Sequence, residues 1–182
     1  NISVESAMSD SQVSQAVDYG RMVGRSLASL TDCLIIGESI PGGTTTALAV
    51  LRGLGFQAKV SSSIPNNPAE LKNQIVTLAL GRLTSDNPYH VITEVGDPMI
   101  AFVAGMLSSA SEITKVMLAG GTQMAAVLAF ASKIGFNEQN TAIGTTSYIS
   151  DDDSANFKSL VSEIADIPAI SVNPGLENSK FS

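Results

Sequence analysis

Glu38 stands directly after an apolar run and directly before the turn Ser39-Ile40-Pro41-Gly42-Gly43-Thr44-Thr45-Thr46. A carboxylate in that position is costly unless it is used or paired. Two roles fit it: a base or orienting group at a ligand, or a cap on the turn's own N–H groups. The turn itself offers complementary chemistry. Glycine lets backbone approach a ligand closely, N–H groups at a helix start donate along a favourable dipole, and threonine hydroxyls add donors. Gly42, Gly43, Thr44 and Thr45 therefore form a candidate phosphate cradle. The spacing is not that of a P-loop, since no lysine follows Gly43, and it is not Gly-x-Gly-x-x-Gly.

Two later turns repeat the design: Ala119-Gly120-Gly121-Thr122-Gln123 and Gly144-Thr145-Thr146. One glycine turn can simply close a strand–helix corner. Three that project from one edge of a parallel sheet point to a site. Gly120, Gly121, Thr122, Gly144 and Thr145 join the candidate binding set on that ground. Lys72, one turn into its helix, can meet a phosphate or carboxylate, although a solvated lysine is the usual state. His90 has no second histidine or nearby cysteine and reads as a structural or surface histidine, so no metal site is expected. Cys33, at the head of an apolar run, reads as an inert core thiol, and Met99, Met106, Met117 and Met124 read as core filler.

The elements that must hold these residues are punctuated clearly. Apolar residues at steps of three and four predict a helix over Asp10 to Leu30, with Ser9 and Gln12 as a capping box. Cys33 to Gly37 reads as a strand buried on both faces. A helix over Thr44 to Leu54 and a possible strand over Gln57 to Ser63 follow. Asn67-Pro68, Asn87-Pro88 and Asp97-Pro98 open helices near Ala69–Arg82, Tyr89–Val95 and Met99–Ser109. Val116–Gly121, Thr141–Gly144 and Pro168–Val172 read as strands. Thr122–Ile134 and Ser154–Ala165 read as helices, the last with Asp153 as cap, and the short run Asp151-Asp152-Asp153 reads as a solvated turn. The apolar segment Ala101–Leu107 should be buried centrally or at a subunit contact. Apolar strands alternating with helices give an α/β fold with a mainly parallel sheet.

The 182 residues suit a single α/β domain. A net charge of −7 argues against a nucleic-acid partner. A lone cysteine excludes an intramolecular disulfide framework. No apolar run reaches the ~18 residues of a membrane span, and the start lacks a secretory pattern. A cytoplasmic location without membrane association is therefore expected. The first residue is not Met and the last residues are polar, so the expectation is a central portion of a longer chain.

Ile36-Gly37-Glu38-Ser39-Ile40-Pro41-Gly42-Gly43-Thr44-Thr45-Thr46-Ala47-Leu48 resembles the signature of the nicotinate-nucleotide–dimethylbenzimidazole phosphoribosyltransferase-like proteins, the CobT family, and most closely its archaeal and cyanobacterial branch. Gly96-Asp97-Pro98-Met99, Leu118–Ala129 and Ala142–Thr146 match in order and spacing, so the resemblance spans about residues 10–180. It implies a Rossmann-like three-layer α/β/α sandwich, as a homodimer without a cofactor. It also implies transfer of the phosphoribosyl group of nicotinate mononucleotide to a benzimidazole-type base in cobalamin lower-ligand synthesis. Glu38 would sit at the substrate in an assisting role, with Gly42, Gly43, Thr44 and Thr45 at the 5′-phosphate. Ser62, within Ser61–Ser63, and Lys72 would fall near further ligand contacts. The family's catalytic-base glutamate lies in a later glycine-rich motif, so the principal base would lie outside these residues. The alternative is a non-catalytic or differently specific nucleotide- or phosphate-binding domain of the same fold.

Overall fold

The computed structural model describes residues 1–40, 42–60 and 68–176. Eight α-helices and four strands are described: α1 Asp10–Ala28, β1 Cys33–Gly37, α2 Thr44–Gly53, α3 Ala69–Leu80, α4 Pro88–Val95, α5 Pro98–Ala110, β2 Lys115–Ala119, α6 Thr122–Ile134, β3 Thr141–Thr146, α7 Ser147–Ser150, α8 Phe157–Ile164 and β4 Ala169–Val172. The strands form one sheet in the order β1-β2-β3-β4, parallel throughout. This is the expected α/β architecture, a parallel sheet with flanking helices.

The helix starts follow their predicted chemistry. The Ser9–Gln12 capping box forms, with the Ser9 amide donating to Gln12 Oε1 at 2.8 Å. Asn87 Oδ1 accepts from the Tyr89 amide and Asp97 Oδ1 from the Ile100 amide, each ahead of a proline at the first helical position. The helix before β4 is shorter than expected, beginning at Phe157 with no side-chain cap. Residues 57–60 are not a strand. Their backbone is instead taken up by side chains: Arg52 Nε and Nη2 donate to the Ala58 carbonyl, while Asn156 accepts from the Lys59 amide and donates to the Gln57 carbonyl. The rest of that predicted strand, and the cap Asn67, lie outside the described residues.

Helix α6 is the centre of the molecule, with every residue from Thr122 to Ala131 buried. Beside it, α5 buries Ile100, Ala101, Val103, Ala104 and Leu107, as the apolar run required. Helices α1 and α5 cross backbone to backbone. A Cβ at Gly20 would overlap the Phe102 carbonyl oxygen, and one at Gly105 would overlap that of Val17. Only glycine permits so close a crossing.

Among the described residues, the sheet has one covered and one bare face. Parallel strands laid down in sequence order favour right-handed crossovers, which carry their connections to the same side. Val116, Ile36, Leu118 and Ile143 are buried there. On the opposite side, register aligns Ile35 with Met117 and Ala142, and Gly37 with Ala119, Gly144 and Ile170. Ile35 is 64% exposed and Val172 57%. The expectation that β1 is buried on both faces is therefore corrected, and Cys33 is an exposed thiol rather than a core one.

Replacing Gly20 or Gly105 with Leu must push α1 from α5. Each change is expected to cost about 3 kcal/mol or more in denaturant unfolding, the upper range for overpacking against rigid neighbours. Gly81→Ala, whose added methyl would meet only ordinary contacts, should stay within about 0.5 kcal/mol of the parent.

Candidate functional site

The three glycine turns meet at the carboxyl edge of the sheet. Gly37, Ala119 and Gly144 occupy one register row across β1, β2 and β3. Neighbouring strands lie ~4.8 Å apart, so the row spans only about 10 Å. The Gly120 amide donates to the Gly144 carbonyl at 2.9 Å, which joins the second turn to the third.

The first turn is held by side chains on three elements. Glu38 Oε2 accepts from the Ile40 amide at 2.7 Å, and Glu38 Oε1 accepts from Gln123 Nε2 of α6 at 2.8 Å. Gln123 Nε2 also donates to the Ile40 carbonyl at 3.3 Å. Glu38 thus caps its own turn, one of the two roles left open by its position. Each carboxylate oxygen still has lone-pair capacity for a ligand. On the other side of the turn, the Thr46 hydroxyl lies 2.8 Å from the Gly43 carbonyl and 3.0 Å from Asp97 Oδ2, donating its proton between them. Asp97, from the Gly96-Asp97-Pro98 motif, therefore caps α5 and ties it to the start of α2 in one step.

Between these ties the backbone is open to a ligand. Gly42 has φ +78°, a conformation that glycine adopts without strain. Thr44 and Thr45 begin α2, where first-turn amides have no intrahelical acceptor. Both are half-buried. Thr122 is buried at the first position of α6, behind Gly120 and Gly121. A groove of about 420 Å³ runs along Gly120, Gly144, Thr145 and Thr146, with Met117, Ile170 and Val172 supplying an apolar lining.

Lys72 lines a cavity that begins at Leu48, one turn past Thr44 on α2. It joins Arg52, Lys59, Asn73 and Ser154 around this cavity of about 190 Å³. Arg52 is eight residues past Thr44 on α2, a rise of roughly 12 Å from the turn. Burial lowers the Lys72 pKa from its ordinary value of 10.5. Ser62 lies outside the described residues. Among the described residues no three metal-ligating side chains cluster, and no helix is long and apolar enough to cross a membrane. The residues that sequence reasoning missed are Gln123 and Asp97. Both stand in motifs visible in the sequence, but nothing in the spacing shows that their side chains reach back to the first turn.

A parallel α/β sheet with glycine turns and helix starts gathered at its carboxyl edge is the arrangement at which α/β folds place their ligand sites. The sequence profile described as phosphoribosyltransferase matches residues 1–147. The UPF0284 protein of Archaeoglobus fulgidus is 41% identical over 181 residues, covering 100% of this chain and 51% of that protein. Its counterpart in Methanosarcina mazei is 44% identical over 173 residues, covering 90% and 49%. The chain belongs to this phosphoribosyltransferase family, in a branch with archaeal members. It spans about half the length of the curated relatives it matches. Among solved structures, the nicotinate-nucleotide-dimethylbenzimidazole phosphoribosyltransferase of Thermus thermophilus shares the fold, with a TM-score of 0.77 and 22% identity over 94% of this chain and 51% of that one. A second structure, CobT from the same organism, gives 0.76 and 21% over 94% and 52%.

Two outcomes follow from this geometry. A methyl group at Gly43 would overlap Gln123 Oε1 and lie 2.6 Å from its Cδ. Gly43→Ala is expected to lower stability by about 1–3 kcal/mol in thermal or denaturant unfolding, through forced displacement of Gln123. Lys72 carries a folded pKa below its unfolded one, so its charged form opposes folding. That penalty is complete below the folded pKa and fades as pH rises towards 10.5. Across that window the unfolding free energy of the parent should rise relative to Lys72→Met, as measured by denaturant titration at a series of pH values.

Proposed function

We propose that this chain carries the ribose-phosphate-binding edge of a phosphoribosyltransferase that moves the phosphoribosyl group of nicotinate mononucleotide to a benzimidazole-type base. The observation that carries the reading is the meeting of three glycine turns in one register row, with the first turn of α2 opening beside Glu38. The family match supplies the reaction class.

In this reaction the acceptor nitrogen forms a bond to the anomeric carbon. The bond from that carbon to nicotinate breaks, and the electron pair leaves with nicotinate. The proton on the acceptor ring passes to a base. Catalysis therefore rests on anchoring the phosphate, aligning the two bases and removing one proton. The amides of Thr44 and Thr45 and the backbone of Gly42 and Gly43 supply the anchor. Glu38, with both oxygens fixed, assists by orienting the sugar or the acceptor. The principal base belongs to residues outside this chain. The groove beside Gly120 and Gly144 suits a flat aromatic ring, because its remaining lining is largely apolar. In this reading the whole protein is a homodimer of the cytoplasm and serves cobalamin lower-ligand synthesis.

One observation favours a second reading. Both Glu38 oxygens are already engaged within the fold, as in a binding domain that has no turnover. Calorimetric titration of the whole protein with nicotinate mononucleotide, followed by an assay for α-ribazole phosphate, separates the two. The first reading expects saturable binding and product. It also expects Glu38→Gln to lower kcat/KM on the order of tenfold, the value of one charge-assisted orienting hydrogen bond. Binding without product supports the second reading, and no binding overturns both.

A further inference from the structure

We infer that Gln123 is the positioning residue of this site, the group that sets the direction of the Glu38 carboxylate and holds Ile40 and Gly43 against α6. The inference rests on the nucleotide-binding reading above for its functional consequence, but the contacts that carry it need no ligand.

Gln123 is 8% exposed at the second position of α6, within the most deeply buried helix of the fold. Its carboxamide faces two oxygens, Glu38 Oε1 at 2.8 Å and the Ile40 carbonyl at 3.3 Å. Only an NH₂ group can face both, so the amide has one permitted orientation. That orientation forces Oε1 towards Gly43, where it is enclosed and has no hydrogen-bond partner among the described residues. A buried acceptor left unpaired is a standing cost and calls for an explanation. Here a neutral donor is retained to hold a carboxylate, and the orphaned oxygen is the consequence. The same oxygen occupies the space that any side chain at position 43 would need. One side chain thus touches the turn at Glu38, Ile40 and Gly43, and fixes all three to the rigid helix behind them.

A leucine at 123 keeps the volume and loses the donor. A glutamate keeps the shape but sets one carboxylate against another. Two carboxyls at this distance share a proton, so one of their pKa values is raised well above the ordinary carboxylate range. Asp97, tied to the same turn through Thr46, adds a third negative charge that pushes in the same direction.

The test uses the whole protein in two arms. In the ligand-free arm, hydrogen exchange at the Ile40 amide is compared between the parent and Gln123→Leu. Faster exchange in the variant is expected, because Glu38 loses its anchor. In the second arm, affinity for nicotinate mononucleotide is measured at about pH 5 and about pH 8, below and above the range of a shared carboxyl proton. Gln123→Leu should weaken binding on the order of tenfold at both, the value of one charge-assisted hydrogen bond. Gln123→Glu should match the leucine variant at the higher pH and approach the parent at the lower, where its proton restores the donor. A merely structural role would not produce that pH-dependent rescue. Unchanged Ile40 exchange overturns the inference, as does equal weakening of Gln123→Glu at both pH values. If the parent binds no nucleotide, the functional reading falls, and the exchange arm still decides whether Gln123 sets the turn.

Discussion

Helix α6 is buried from Thr122 to Ala131, and that burial fixes the geometry of the whole carboxyl edge. The helix packs against α2 and α5, which carry the other parts of the site. Its first turn therefore cannot shift without opening the core. Gln123 transmits this rigidity to the first glycine turn, while Gly120 transmits it to the third strand through the Gly144 carbonyl. A loop held in this way is preorganised: the ordering cost is met in folding rather than on binding.

Much of the fold is legible in the sequence because its signals are local. A capping box, an asparagine or aspartate before proline, and a glycine after an apolar run each act over a few residues. Ser9, Asn87 and Asp97 accordingly cap the predicted helices. The failures come from contacts distant in sequence. The segment at Gln57–Val60 has strand-like composition, but Arg52 and Asn156 take up its backbone groups before any strand can pair with it. Cys33 and Ile35 have the apolar character of a doubly covered strand, yet the right-handed crossovers that sequential strands favour leave their face bare among the described residues. Whether that face is covered depends on what lies beside it, which no run of five residues encodes.

The site is legible to the same degree. Glycines and threonines announce the turns, since few other residues tolerate close backbone approach. Glu38 announces itself as an expensive carboxylate, but its partners do not. Gln123 is 85 residues away, and glutamine in the first turn of a helix normally faces water. Thr46 and Asp97 are 51 residues apart, with nothing in either local pattern to pair them. Lys72 is a further case. Its sequence position leaves open a solvated lysine or a partner for phosphate or carboxylate, and the fold sets it beside Arg52 and Lys59 around one cavity.

The charge pattern makes this division matter. Glu38 and Asp97 place two carboxylates at the turn, and no described ion pair reaches either of them. A phosphate there would depend on backbone amides and the α2 dipole. The cationic cavity is the electrostatic competitor. A crystal structure of the whole protein with nicotinate mononucleotide decides between them. The 5′-phosphate oxygens are expected within hydrogen-bond distance, ~2.7–3.2 Å, of the Thr44 and Thr45 amides, with Gln123 still on Glu38. A phosphate seated among Arg52, Lys59 and Lys72, with the glycine turn empty, would contradict that placement.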